Sequence, residues 1–222
     1  HEYNFLGTGW KSWNRWNENK TSHEIMWNID IISGFEFREP LFHSTLIDKL
    51  PCGTDIKIPW ELGRMYHWPQ LAMLAVNDVT MRERIIHEFK DQLYDFKTQN
   101  PIGLGVQFFC PMEVSIRVIN LLIAYDILVQ IDEKGELDYA FCNEMEQYFY
   151  MHGQVIISNL EYNFFTDSAG NHYLTDLCGL IWICMYFRTK RTQKYLPKII
   201  EEFCECIQKQ FLEDGSNFEC ST

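Results

Sequence analysis

Asn163-Phe-Phe-Thr-Asp-Ser-Ala-Gly-Asn171-His172-Tyr173-Leu174, continued to Phe187, is the stretch on which the fold turns. A polar loop ends at Gly170, and Leu174, Leu177, Cys178, Leu180, Ile181, Trp182, Ile183, Met185, Tyr186 and Phe187 follow. A helix apolar on nearly every side is buried on nearly every side, so this one needs other helices packed around it. Asn171 and His172 fall in its first turn. There an amide, an imidazole and the unpaired N–H donors of a helix start converge, an arrangement suited to an anion or a developing negative charge. The local sequence equally allows Asn171 to act only as a helix cap and His172 only as a surface histidine.

Outward from this stretch, apolar periodicity predicts helices over 59–77, 80–98, 111–131, 137–160, 171–187 and 194–212. In the second, Ile85, Ile86, Phe89, Leu93 and Phe96 recur at intervals of three and four and make one packing stripe. Pro59 and Pro111 stand where a first-turn proline is tolerated, and Gly135 and Gly215 follow helices as stop signals. Consecutive helices with short links stack as αα-hairpins, either as a solenoid or as a closed toroid, and no fixed-period repeat decides between them. Residues 1–54 differ in character. Glycines and prolines punctuate them, Trp10, Trp13, Trp16 and Trp27 fall among Asn and Lys, and short strands are predicted near 29–32 and 35–37. So many rings indicate an ordered lead-in. Trp10, Trp13 and Trp16 fit either sugar stacking or the packing seam of a short helix, and the seam is preferred.

With 222 residues, 46% of them hydrophobic and 15% aromatic, the chain has ample material for a core. A net charge of −12 argues against nucleic acid as a partner, because phosphate backbones need clustered Lys and Arg. The eight cysteines contain no C-x-x-C pair, and Cys204-x-Cys206 cannot face one way on a helix. Free core thiols are therefore expected, with no metal, no cofactor and no disulfide framework. No uninterrupted apolar run reaches membrane-spanning length, so no membrane partner is expected. The chain opens on His1 rather than Met, read as a processed start, so a missing signal peptide says nothing about compartment. Gly103 and Gly105 are not a phosphate loop, since no Lys-Ser/Thr follows and no strand precedes.

Six motifs then carry a resemblance. Asp55-Ile-Lys57-Ile-Pro-Trp60-Glu61-Leu-Gly-Arg64, Asn100-Pro101-Ile-Gly103-Leu-Gly105-Val106, Met112-Glu113-Val-Ser-Ile-Arg117, His152-Gly153 with Asn159-Leu160-Glu161, Gly170-Asn171-His172-Tyr173-Leu174, and Asp214-Gly215-Ser216-Asn-Phe-Glu219-Cys-Ser221 resemble, in that order, the N-terminal toroid of heparinase II/III-like polysaccharide lyases. The resemblance implies an all-α chain. Residues 55–222 would form an incomplete (α/α) toroid, residues 1–54 would pack on it as the irregular lead-in, and an antiparallel β-sandwich would follow in the full-length protein. It also implies cleavage of an acidic, uronate-containing polysaccharide by β-elimination, without hydrolysis and without a redox cofactor. The proton beside a carboxylate is hard to remove, so such an enzyme neutralises the carboxylate while a base takes the proton. Asn171 falls on the position of the neutraliser and His172 beside it. The tyrosine that serves as base or acid is expected beyond Thr222, so the isolated piece is expected to be inactive and to self-associate through faces left uncovered. Cys220 stands where the family more often has Gly.

Arg64 lies three residues after Glu61, and Arg117 four after Glu113, which fits intrahelical ion pairs. The resemblance places them toward the toroid interior, where an Arg could hold a sugar carboxylate or sulfate. Glu113, Arg117, Arg64 and Glu161 are thus the candidate substrate-binding residues, and Asn171 and His172 the catalytic ones. Glu161 could orient Asn171 or His172, or pair with a neighbouring Arg. His152 is read as a packed core histidine, and neither Tyr162 nor Tyr173 is assigned as catalytic. The rival reading is a non-catalytic carbohydrate-binding or glycan-assembly protein on the same toroid. A periplasmic location follows from the resemblance and a cytoplasmic one from unpaired cysteines, so compartment stays open.

Overall fold

Local signals place most helix starts. Asp78, Asp138 and Thr189 accept hydrogen bonds from Thr80, Phe141 and Thr192 N–H groups, and Pro111 opens its helix where a missing N–H costs nothing. The computed structural model describes residues 14–15, 24–37, 50–163 and 168–218. Among them are the helices α1 (Lys57–Gly63), α2 (His67–Asn77), α3 (Val79–Gln99), α4 (Pro111–Ile131), α5 (Tyr139–Ser158), α6 (Asn171–Phe187) and α7 (Lys190–Gln210), with a 3-10 turn at Val106–Phe108. Two antiparallel ribbons of two-residue strands join β1 (Asn14–Arg15) to β2 (Glu24–Ile25) and β3 (Tyr162–Asn163) to β4 (Ser168–Ala169). The strands predicted near 29–32 and 35–37 reduce to a single bridge, Ile29 to Glu36, around a turn with Gly34 at φ 76°.

The predicted helix over 59–77 is two helices. Met65, fully buried at φ 58°, interrupts it. The break is held by tertiary partners, since the Asn120 side chain donates to the Arg64 carbonyl at 2.8 Å and the Arg64 guanidinium reaches across to α4. A non-glycine residue at positive φ carries no sequence mark.

Hairpins α2–α3, α4–α5 and α6–α7 stack so that α2 packs on α4 and α4 on α6, giving an all-α double layer. A main hydrophobic core runs through it, with two smaller apolar clusters beside it, and the largest fully buried side chains of the main core include Trp27, Trp68, Phe89, Phe96, Phe141 and Phe149. Edge-to-face contacts link Trp27 to Phe96 at 5.0 Å and Trp68 to Phe89 at 4.9 Å. Trp27 thus joins the lead-in to the helical core, and its indole N–H donates to Asp95 at 2.8 Å. Trp10, Trp13 and Trp16 lie outside the described residues. By length and composition α4 could cross a membrane, yet it carries Glu113 and Arg117 and packs against α2, α5 and α6 as a core helix does. Where α4 meets α6, Gly179 lies against Ser115, and a Cβ on Gly179 would sit 2.7 Å from the Ser115 Cβ and 3.0 Å from its Cα.

Candidate functional site

On α6, His172, Asp176 and Gly179 follow at intervals of four and three, so they share the face turned to α4. The close approach at Gly179 brings the first turn of α6 to the first turn of α4. Glu161, just past the end of α5, enters the same place, its backbone N–H donating to Asp176 Oδ2 at 3.0 Å. The site joins three segments: Cys110 to Met112, Glu161, and the mouth of α6.

His172 Nδ1 lies 3.0 Å from Glu161 Oε1. Glu161 Oε2 accepts from the Met112 N–H at 3.2 Å, and the Cys110 thiol lies 3.5 Å from Oε2 and 3.7 Å from Oε1. The Cys110 sulfur is also 3.8 Å from His172 Nδ1. The hydrogen bond to Glu161 raises the His172 pKa against the cost of burial, with the charges of Glu161, Asp176 and Glu113 adding to it. Burial opposes the charge on Glu161, but hydrogen bonds from His172, Met112 and Cys110 outweigh it and hold the carboxyl below its ordinary value. The pair is therefore charged on both sides over the interval from below the ordinary glutamate value of 4.5 to above the ordinary histidine value of 6.5. Burial, reinforced by the charge of Glu161, pushes the Cys110 thiol to about 12, so it is no nucleophile at neutral pH.

Asn171 is the first residue of α6 and is exposed; Gly170 occupies the cap position, and no side chain caps the helix. Capping is therefore not the role of Asn171. The Gly170 carbonyl accepts from the Gln210 side chain at 3.0 Å, which ties the mouth to the end of α7. With Nδ1 engaged by Glu161, the imidazole is fixed in orientation and its Nε2 faces away from the carboxylate. A histidine oriented this way beside an exposed amide can bind or move a proton next to a bound anion.

The remaining candidates fall elsewhere. Glu113 is not paired with Arg117 along the helix. It accepts two bonds from Arg64, at 2.6 and 2.8 Å, and Arg64 also meets Glu61 at 2.5 Å. The hydrogen bond to Glu113 raises the already high pKa of Arg64, which stays charged. Glu113→Gln leaves Arg64 with Glu61 alone. Removing one partner of a buried pair costs ~3–5 kcal/mol, and the retained Glu61 contact brings the expected loss to about 2 kcal/mol, measurable as a lower urea midpoint.

Arg117 lies in the core rather than on an exposed surface. It is 0% exposed, its guanidinium lies 4.8 Å from the ring centroids of both Phe96 and Phe108, and it donates to the Gln107 carbonyl at 2.5 Å. Burial lowers its pKa to about 10. The aromatic sandwich and the carbonyl replace the carboxylate partner that the i, i+4 spacing implied. His152 is a core residue as expected, fully buried with Nδ1–H donating to the Tyr148 carbonyl at 2.9 Å. The Tyr173 hydroxyl is taken up by Glu202 of α7.

Two residues of the site escaped sequence reasoning, Cys110 and Asp176. Cys110 had one signal, its place directly before the first-turn Pro111 of α4. Asp176 is a carboxyl inside an apolar helix, and burial, with the Glu161 charge adding to it, raises its pKa to about 7. Between the ordinary aspartate value of 3.8 and about 7, the native state holds a proton that the unfolded chain has released, so stability falls as pH rises through that interval. Asn in its place keeps an acceptor for the Glu161 N–H and removes this slope. Asp176→Asn is expected to gain stability relative to wild type as pH goes from 4 to 7. At ~1.4 kcal/mol per pK unit, and allowing half to relax, the gain approaches about 2 kcal/mol, read from urea midpoints across pH.

Residues 7–222 match the family Heparinase II/III N-terminus. No curated protein matches the chain. Among solved structures, the fold is similar to the crystal structure of the heparan sulfate lyase HepC from Pedobacter heparinus, with a TM-score of 0.58 and 23% identity over 83% of this chain and 27% of that one. The chain thus spans little more than a quarter of the length of that lyase. A match across nearly all of its residues, together with the shared helical architecture, shows that the chain belongs to the heparinase II/III N-terminus family.

Proposed function

We propose that this chain is the helical part of a polysaccharide lyase that cleaves a uronate-containing acidic glycan by β-elimination. The observation that supports it is the exposed Asn171 amide at the start of α6, next to a His172 held by Glu161. Asn171 and the positive end of α6 neutralise the uronate carboxylate, which makes the adjacent C–H acidic enough for a base to take its proton. His172, oriented through Nδ1, binds the sugar or moves a proton at Nε2. Arg64 and Glu113 brace the wall between α1 and α4, and Glu161 positions His172. The helical double layer forms part of an (α/α) toroid, and a tyrosine outside these residues completes the chemistry, as the family resemblance implies. Alone, the 222 residues turn over no substrate, and exposed Trp182, Met185, Tyr195, Ile200 and Phe211 on and after α6 and α7 favour self-association.

The full-length protein, incubated with heparin, heparan sulfate, alginate and other uronate polymers, is expected to release products with the ultraviolet absorbance of an unsaturated uronate. Binding to such a polymer with no absorbing product would overturn the lyase reading and favour a carbohydrate-binding role.

A further inference from the structure

Cys110 Sγ, Glu161 Oε1 and His172 Nδ1 form a triangle with sides of 3.7, 3.8 and 3.0 Å. A tetrahedral zinc ion bound at ~2.3 Å by sulfur and ~2.0 Å by nitrogen and oxygen needs sides of roughly 3.5 Å from S to N or O and about 3.3 Å from N to O. All three observed sides lie within about 0.3 Å of that figure. The donors are also held in place from outside. Glu161 Oε2 accepts from the Met112 N–H at 3.2 Å and the Glu161 backbone N–H is bound to Asp176 at 3.0 Å, which leaves Oε1 turned to the imidazole, with the Cys110 sulfur 3.5 Å from Oε2 and 3.7 Å from Oε1.

We propose that Cys110, Glu161 and His172 form a binding site for a divalent transition metal of zinc's class, with three protein ligands and a fourth position open at the mouth of α6. The three ligands come from separate segments, and the His172 side chain is 44% exposed, so an ion can enter without unfolding anything. On binding, the sulfur lone pair bonds the metal as the thiol proton leaves to solvent, and Nδ1 binds with the ring hydrogen on Nε2. Thiolate and carboxylate together cancel the charge of the ion. One proton is released from neutral His172 and two from its protonated form. The sulfur ligand disfavours Ca²⁺ and Mg²⁺, which prefer all-oxygen sites. The metal and the Glu161–His172 hydrogen bond use the same Nδ1, so they exclude one another. The site shares His172 and Glu161 with the proposed lyase chemistry, and its test reads metal binding rather than turnover, so either can fail without the other. Glu83, His87 and Glu136 also converge, but Glu83 and His87 are exposed and Lys134 holds Glu83 at 2.6 Å, so this second cluster carries no comparable case.

Titrating the reduced full-length protein with Co²⁺ is expected to produce a near-ultraviolet thiolate-to-cobalt band and the visible bands of a tetrahedral ion, both erased by Zn²⁺. Cys110→Ser and His172→Ala should each abolish the thiolate band and weaken zinc binding by more than ~100-fold, beyond the ~10–100-fold that outer hydrogen-bond partners cost. His87→Ala should leave both unchanged. Circular dichroism checks the fold of each variant, and the half-exposed His172 keeps the test readable if Cys110→Ser unfolds. Absence of the band in the wild-type protein, or its survival in a folded Cys110→Ser or His172→Ala variant, overturns the proposal.

Discussion

Asn171→Ala in the full-length protein is expected to reduce the elimination rate by ~10²–10³-fold, the usual cost of removing one donor aimed at charge that develops in the transition state. The loss should fall mainly on kcat, because the amide matters most when the carboxylate takes on the electrons of the departing proton. Stability should barely change. Asn171 is exposed and lies one residue past the Gly170 cap position, and its backbone carbonyl, which accepts from the Thr175 hydroxyl at 2.9 Å, is untouched by the substitution. A wild-type rate in Asn171→Ala, with substrate in excess, would remove the amide from the chemistry. A large fall in melting temperature would instead make it structural.

Gly179→Ala is the stability counterpart. An alanine normally gains ~1 kcal/mol over glycine inside a helix. Here the new methyl would meet Ser115 Cβ and Oγ at 2.7 Å and its backbone Cα at 3.0 Å, and a backbone atom cannot rotate aside. Overpacking of this kind costs ~1–3 kcal/mol and more where backbone must move, so a net loss of about 2 kcal/mol is expected in chemical denaturation. The second effect is on the site. Gly179 lies two turns along α6 from His172, so separating α6 from α4 also moves His172 away from Cys110 and weakens Co²⁺ binding. A variant at least as stable as wild type, with cobalt binding intact, would show that the two helices can part without disturbing the mouth of α6.

The helices were legible where apolar pattern and caps agreed. The spans 111–131 and 171–187 match α4 and α6 to the residue, because Pro111 and Gly170 mark their starts and nearly continuous apolar runs fill them. The break at Met65 was not legible, since it is stabilised by Asn120 and Glu113, which lie more than forty residues away in sequence. The site divides in the same way. Asn171 and His172 stood out as polar groups at the mouth of an apolar helix, and Glu161 proved to contact His172 as one of its two readings required. The pairing of charges did not follow sequence spacing. Glu113 turned to Arg64 on another helix, and Arg117 went into the core between two rings.

By itself the sequence determined an all-α chain of stacked hairpins and the place where an amide and an imidazole sit at the mouth of an apolar helix, because helical periodicity and first-turn polarity are written within a few residues of one another. Only the tertiary structure decided which partners those residues meet: Cys110 with Glu161 and His172, Arg64 with Glu113, and Gly179 with Ser115. Such contacts join positions tens of residues apart, and helix packing sets their distances, which no local pattern encodes.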